Sequence, residues 1–161
     1  MVLPHRKHPR LKQFDYSSNG GYFITICTKN RRHLFGHIIL TDSATAIMEL
    51  SPLGKIIKTY IESIPASYSG ICVDHYVIMP NHIHLLLRFD MPPVEGGQGS
   101  GRPTVMTVVH ALKRLTAKQA GYAIWQKSFH EHIIRNEKDY LEIWNYIENN
   151  PGRWADDTYF S

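Results

Sequence analysis

Two adjacent stretches of β-forming residues constrain the fold of this chain more than any other part of its sequence. Residues Ile71–Met79 and His82–Phe89 are rich in β-branched, aromatic and other apolar side chains. The Pro80-Asn81 pair between them is typical of a tight turn. The sequence therefore predicts a β-hairpin near the middle of the chain.

Periodic apolar residues predict further elements on both sides of this hairpin. In chain order these are a strand at 21–28, a helix at about 42–63, the hairpin, an amphipathic helix from Val105, a strand at 124–134, and a final helix that Asn136 can cap and that Pro151 and Gly152 stop. This order is typical of an α+β domain in which helices pack on an antiparallel sheet. The leading fold prediction is a ferredoxin-like core.

Length and composition predict a single folded domain covering residues 1–161. Hydrophobic residues make up 43% of the chain and charged residues 20%, as in ordinary folded proteins. Two segments are expected to lie outside the packed core. They are a basic amino-terminal arm at about 1–14 and a flexible Gly- and Pro-rich loop at about 91–103.

Cysteine content, hydropathy and charge indicate the cellular setting. The two cysteines, Cys27 and Cys72, form no Cys-x-x-Cys motif, and no run approaches the roughly 20 apolar residues that cross a bilayer. We therefore expect a soluble cytoplasmic protein with no membrane partner, associated with the nucleoid in a bacterial cell. A net charge of +4 and a pI near 9.1 favour a polyanionic partner, although many equally basic proteins bind no DNA.

The predicted hairpin carries a candidate metal-binding pair. His82 and His84 are separated by one residue, so on a strand they project from the same face and can chelate one ion. Two ligands do not make a metal site, and two histidines on a half-exposed strand are an equally valid interpretation without a third ligand.

The final helix offers a nucleophile and an oxygen ligand on one flank. Tyr146 lies outside the predicted core stripe of this helix, and Asn150 follows four residues later on the same flank. By spacing alone, Tyr146 could equally be a partly buried aromatic residue at the helix edge. The core stripe consists of Tyr140, Ile143, Trp144 and Ile147.

Three segments carry a resemblance to a known family. The chain contains, in order, YFITICTKNRRHLFG, YVIMPNHIHLLL and WQKSFHEHIIRNEKDYLEIWNYIENNPGRW. These resemble segments of the single-tyrosine HUH transposases, and among them the REP-associated tyrosine transposases most. The similarity extends from about residue 15 to 154, and the combination of PNHIH with YIENNP is more specific than either piece.

The resemblance implies a role for each candidate residue. His82 and His84 match the histidine pair that binds a divalent ion, and Tyr146, in a Tyr-x-x-x-Asn-Pro pattern, matches the nucleophile. Asn150 matches the position whose side chain completes the metal site, although Glu148 or Asn149 could compete for that role. The family also implies an HUH endonuclease fold.

The implied reaction fits the chemistry of these residues. A divalent cation can polarise a scissile phosphate, and mixed imidazole and amide ligands allow Mg²⁺ or Mn²⁺. The resemblance implies that the tyrosine forms a covalent 5′-phosphotyrosine while nicking and rejoining single-stranded DNA, at hairpin ends of a palindromic repeat. Relatives include both homodimers and monomers, so the resemblance leaves open whether the tyrosine acts on its own metal site.

Basic residues throughout the chain are candidate DNA contacts, although charged surface residues are often only solvated. The candidates are Arg6, Lys7, Arg10, Lys12, Arg31, Arg32, Lys113, Arg114, Lys118, Lys127 and Arg135. Three other histidines, His75, His130 and His132, are interpreted as hydrogen-bonded, structural or DNA-facing residues. Two alternative functions stay open: a catalytically silent DNA-binding protein of the same fold, and a metal-dependent hydrolase that acts on another substrate.

Overall fold

The structure is a computed structural model that describes residues 19–93 and 101–156. Six strands and four α-helices are present in these residues. They are β1 (Gly20–Cys27), β2 (Gly36–Leu40), β3 (Ala46–Leu50), α1 (Pro52–Glu62), α2 (Ile64–Ser67), β4 (Ile71–Met79), β5 (His82–Phe89), α3 (Val105–Ala120), β6 (His130–Ile133) and α4 (Glu137–Glu148). Two 3-10 helices, Lys29–Arg31 and Pro151–Asp156, follow β1 and α4.

A four-stranded antiparallel sheet in the order β4-β5-β1-β6 forms the centre of the fold. Together with α1 and α3, these strands follow the β-α-β-β-α-β order of a ferredoxin-like domain. The predicted α+β fold is therefore confirmed. Strands β1 and β5 lie in the interior of the sheet, so the predicted hairpin supplies one of its central strands.

The two faces of the sheet bury different sets of side chains, because successive residues of a strand point to opposite faces. On one face, Leu85 and Leu87 of β5 pack in the larger core with residues of α1 and α3. On the other face, Phe23 and Leu86 pack against Ile143 and Ile147 of α4. Helix α4 therefore covers the face toward which the even-numbered residues of β5 point.

The helix predicted at about 42–63 is only half correct. Residues 36–50 form a two-stranded sheet, β2 and β3, and α1 begins only at Pro52. Proline has no backbone N–H and is tolerated in the first turn of a helix, and the Ser51 hydroxyl accepts a hydrogen bond from the Gly54 N–H there. The helix therefore starts at this cap, and Ile47 and Leu50 belong to a strand.

The strand predicted at 124–134 is also too long. Only His130–Ile133 pairs with β1, while Trp125 forms an isolated bridge with Thr28. The Lys113 ammonium donates hydrogen bonds to the carbonyls of Gln126 and Lys127. These carbonyls are satisfied by a side chain instead of a neighbouring strand.

The remaining helix predictions are confirmed. Helix α3 begins at Val105, and the side chain of Asn136 caps α4 by accepting a hydrogen bond from the Asp139 N–H. Helix α4 ends at Glu148, but Pro151 and Gly152 open a 3-10 helix. In the described residues, no helix has the length and apolar character required to cross a bilayer. The predicted arm lies outside the described residues, as does 94–100 of the predicted loop.

Candidate active site

The two histidines of β5 lie on the sheet face that α4 covers. Both side chains are fully buried, and their ring centroids are 4.7 Å apart. The predicted projection of His82 and His84 from one face is therefore confirmed. Each is opposite a residue of β1 in the ladder, His84 opposite Thr25 and His82 opposite Cys27.

Hydrogen bonds at Nδ1 orient both imidazole rings. Nδ1 of His84 lies 2.8 Å from Oγ1 of Thr25, and Nδ1 of His82 donates to Oδ1 of Asn81 at 2.8 Å. A histidine that donates from Nδ1 carries its lone pair on Nε2, which is then the metal-binding nitrogen. The sequence interpretation missed both supporting residues, although Asn81 stands in the recognised PNHIH segment.

Burial keeps both histidines neutral. It lowers the pKa of His84 to about 3. Burial also holds the pKa of His82 well below its usual value, and the neighbouring His84 and the charge of Arg31 lower this pKa further. Hydrogen bonding to Asn150 raises the pKa of His82, but by less than burial lowers it. Neutral imidazole is the form that binds a metal ion.

Asn150 is the candidate third ligand that the structure brings to the histidine pair. Its side chain is 2% exposed, and it interacts with His82. Its Oδ1 atom is buried and makes no hydrogen bond of good geometry within the described part of the chain. Leaving such an atom unsatisfied is costly, and a bound cation would offset that cost. Two imidazole nitrogens and this amide oxygen therefore fit a divalent ion.

The two competing residues lie elsewhere. Glu148 accepts a hydrogen bond from His75 at 2.7 Å and has a side chain that is 62% exposed. Asn149 is exposed and donates through Nδ2 to the Asn145 carbonyl. Residues 19–93 and 101–156 contain no group of three His, Cys, Asp or Glu side chains that could hold a metal. A site at the histidine pair would therefore need the amide oxygen.

Tyr146 packs directly on the histidine pair. Its half-buried ring lies edge-on to His84, with 5.2 Å between centroids, and edge-on to Phe23 at 6.0 Å. Tyr140, the other tyrosine of α4, donates its hydroxyl to Asp74 of β4 at 2.9 Å. Burial and the hydrogen bond to Asp74 raise the pKa of Tyr140 to about 12. The structure therefore distinguishes the two tyrosines by position, because Tyr146 contacts His84 and Tyr140 contacts Asp74.

A groove opens beside Tyr146 on the outer side of α4. Its volume is about 440 Å³. The residues that line it are Glu142, Asn145, Tyr146, Asn149 and Arg153. Tyr146 lines this groove and also contacts the buried ring of His84.

Trp154 covers the other side of the histidine pair. The indole stacks on His82 with 6.0 Å between centroids and contacts the ring of His33 at 5.5 Å. The final 3-10 helix and the segment after β1 therefore meet above the site. The sequence interpretation assigned no role to either residue, since only the folded chain brings them to His82.

Comparison with known proteins finds relatives that match most of the chain. No protein-family model matches the chain. A Haemophilus influenzae protein described only as uncharacterized is 37% identical over 172 residues, which span 96% of this chain and 93% of that protein. A second Haemophilus influenzae protein, described as a "Putative REP-associated tyrosine transposase", is 27% identical over 145 residues, spanning 85% of this chain and 73% of its own length. The chain is therefore similar, over most of its length, to a protein described as a REP-associated tyrosine transposase.

A solved structure shares the fold of this chain. It is that of the REP-associated tyrosine transposase bound to a REP hairpin, with a TM-score of 0.59 and 23% sequence identity. The match covers 94% of this chain and 74% of the other. The ferredoxin-like sheet with helices on it is thus the fold of this transposase as well.

Polar contacts attach helix α4 to the sheet at both ends. Near the start of α4, Asp139 accepts a hydrogen bond from His132 of β6 at 2.7 Å. At its end, Glu148 pairs with His75, whose ring also packs on Trp144. His75 and His132 are therefore hydrogen-bonded residues that hold α4, in line with their sequence interpretation. His130 is exposed on β6.

The predicted DNA-contacting residues fall into separate regions. Arg31 lies nearest the site, since its charge acts on His82, and it adopts a left-handed backbone conformation with φ 53°. The guanidinium of Arg32 lies 6.0 Å from the centre of the Tyr122 ring. Arg114 and Lys118 are exposed on α3, across the sheet from α4, and Lys113 caps carbonyls.

Other candidates are exposed or lie outside the described residues. Lys127 and Arg135 are exposed on the segments that flank β6. Arg153, which the sequence interpretation did not include, lines the groove beside Tyr146. The four basic residues of the amino-terminal arm lie outside the described residues; they are Arg6, Lys7, Arg10 and Lys12.

Proposed function

We propose that this protein is a DNA transposase that nicks and rejoins single-stranded DNA at hairpin ends through a covalent bond to Tyr146. Similarity to a protein described as a "Putative REP-associated tyrosine transposase" supports a role in transposition or DNA binding. The relative of known structure is described as bound to a REP hairpin, which supports hairpin DNA as the partner. The observation that carries the proposal is the contact between Tyr146 and His84 of the same chain.

The proposed cofactor is Mg²⁺ or Mn²⁺. His82, His84 and Asn150 would hold it, because two neutral imidazoles and one amide oxygen converge on the buried face. When bound, a divalent ion would stabilise the negative charge that develops on the attacked phosphate. Thr25 and Asn81 orient the two rings, so the ligand nitrogens need not reorganise before the metal binds.

Tyr146 would act as the nucleophile. Its phenolic oxygen forms a bond to phosphorus, the bond from phosphorus to the 3′ oxygen breaks, and the phenolic proton passes through solvent to that 3′ oxygen. The products are a 5′-phosphotyrosine and a free 3′ hydroxyl. The new ester retains the energy of the broken bond, so a 3′ hydroxyl can attack it and rejoin the DNA. Tyr140 contacts Asp74 of β4 instead of the histidine pair, and its raised pKa disfavours the phenolate.

The geometry supports action within one chain. Tyr146 packs on its own histidine pair, and α4 is held to its own sheet by His132 and His75. We therefore propose that a monomer contains a complete site.

A gel experiment tests this proposal. The protein is incubated with an end-labelled hairpin oligonucleotide and Mg²⁺ or Mn²⁺, and then denatured. We expect a protein–DNA adduct that Tyr146→Phe abolishes and Tyr140→Phe retains. DNA binding with no cleavage would favour a silent binding protein, and cleavage with no adduct would favour a metal-dependent hydrolase.

A further inference from the structure

The groove beside Tyr146 has the size and chemistry of a binding site. Its volume of about 440 Å³ lies within the range of roughly 300–1,000 Å³ that is typical of small-ligand sites. Four of its five lining residues lie on α4 or at its end, and Arg153 belongs to the following 3-10 helix. Tyr146 lines this groove and also contacts His84.

Charge is distributed unevenly along the groove. Arg153 lies at one end and Glu142 at the other, and neither side chain forms an ion pair within the parts of the chain that the structure describes. A helix rises about 1.5 Å per residue, so the stretch from Glu142 to Asn149 spans roughly 10 Å. A single nucleotide could therefore place its phosphate at the basic end and its base toward the acidic end.

Two amides lie between these charges. Asn149 donates through Nδ2 to the Asn145 carbonyl, which fixes its side chain with Oδ1 as an available acceptor. The Asn145 side chain is exposed in the groove and makes no hydrogen bond with any other described residue. Amide side chains are suited to reading base edges, because each offers both a donor and an acceptor.

We propose that this groove binds one nucleotide of single-stranded DNA next to the cleaved phosphodiester, with Arg153 on a phosphate and Asn145 and Glu142 on the base. The position next to the cleaved bond rests on the proposed function of Tyr146. Arginine suits a phosphate because its planar guanidinium can donate two parallel hydrogen bonds. Unpaired bases expose their hydrogen-bonding edges, which is how single strands are usually recognised.

Glu142 gives the groove a preference among bases. An ionised carboxylate only accepts hydrogen bonds, so it favours bases that carry an exocyclic amino group. Adenine, cytosine and guanine have such a group, whereas the donor of thymine, N3–H, lies between two carbonyl oxygens that repel a carboxylate. The groove should therefore disfavour thymine.

Binding measurements test this proposal without any cleavage step. Short single-stranded oligo-dA, oligo-dC and oligo-dT, each carrying a fluorophore, are titrated with the full chain, and anisotropy gives the Kd. We expect severalfold weaker binding of oligo-dT, a difference that Glu142→Gln and Asn145→Ala reduce. Arg153→Gln should weaken binding of all three by about tenfold, the effect of one lost charge-assisted hydrogen bond, and reduce the salt slope by about one.

A matched variant controls for overall charge. Lys58→Gln removes one exposed positive charge from α1, on the opposite face of the sheet, and should change each Kd by less than about twofold. Circular dichroism checks that every variant is folded. Equal effects of Lys58→Gln and Arg153→Gln, or an unchanged base preference in Glu142→Gln, would overturn the groove proposal. Lack of a Tyr146 adduct would instead count against the proposed function, because binding is measured separately.

Discussion

The ring of Tyr146 lies edge-on to the ring of His84 in the same chain, with 5.2 Å between their centroids. A candidate nucleophile and a candidate metal ligand therefore belong to one protomer. This arrangement predicts the activity of a mixture of two variants, one without the nucleophile and one without the metal ligand.

Mixing Tyr146→Phe with His84→Gln should give no more adduct than either variant alone. One chain lacks the nucleophile and the other a metal ligand, so a site within one chain is incomplete in both. Adduct formation on a labelled oligonucleotide measures this, and wild-type protein mixed with either variant is the control. Recovery of adduct would instead show that the tyrosine serves a partner chain.

Thr25 should control metal affinity without touching the metal. Its hydroxyl lies 2.8 Å from Nδ1 of His84, and loss of such an outer contact lowers metal affinity by about 10- to 100-fold in other sites. Thr25→Val should therefore weaken Mn²⁺ binding by that factor in calorimetric titration.

Thr116 provides the control for this prediction. It is another buried threonine, and it accepts a hydrogen bond from Nε1 of Trp125 in the larger core. Thr116→Val should lower the free energy of unfolding by about 1–3 kcal/mol and leave Mn²⁺ affinity unchanged. Equal loss of Mn²⁺ affinity in both variants would mean that Thr25 acts only through stability.

The third ligand can be tested by exchanging its oxygen. Asn150→Asp supplies a carboxylate, a stronger ligand for Mg²⁺ and Mn²⁺, and should tighten Mn²⁺ binding. Asn150→Leu removes the oxygen and should weaken Mn²⁺ binding by at least about tenfold. Glu148→Gln is the control, because Glu148 pairs with His75 and should not contribute. A loss of affinity in Glu148→Gln alone would reassign the ligand.

The raised pKa of Tyr140 predicts that the protein loses stability at high pH. Its pKa is raised from 10.0 to about 12, since burial and Asp74 favour the neutral phenol. The stabilisation is therefore complete below pH 10 and is lost as the pH rises through about 12. After allowance for solvent screening of a partly exposed group, we expect a contribution of about 1 kcal/mol.

Urea unfolding at a series of pH values checks this contribution. Below pH 10, Tyr140→Phe should be less stable than the wild type by about that amount, and the two should converge as the pH approaches 12. Lysines and other tyrosines titrate in both proteins, so the comparison isolates Tyr140. A constant difference across the whole range would contradict the raised pKa.

The parts of the fold that the sequence predicts are those in which one local pattern determines the structure. β-Forming residues on either side of the Pro80-Asn81 turn predict β4 and β5, and a polar cap before a periodic run predicts α4 at Asn136. The local pattern predicted a helix at Ile47, and this prediction was wrong. The spacing of Ile47 from later apolar residues suits a helix, but Ile47 belongs to strand β3. Only pairing with β2 removes that ambiguity, and pairing is a long-range property.

The same distinction applies to the candidate site. His82 and His84 could be proposed from strand geometry, and the choice of Tyr146 over Tyr140 came from a family pattern. Thr25 could not be proposed, because its contact with His84 depends on the register between β1 and β5. Asp74 could not be linked to Tyr140 either, since it lies where the β4–β5 register shifts.

Helix α4 begins only after β6 has completed the four-stranded sheet. The scaffold and its histidine pair are thus formed by one part of the chain, and the tyrosine and Asn150 are contributed by a carboxy-terminal extension. Substitutions on the outer surface of that extension leave the hydrophobic core unchanged. Under the proposed function, the selection of DNA and the stability of the fold can therefore evolve separately.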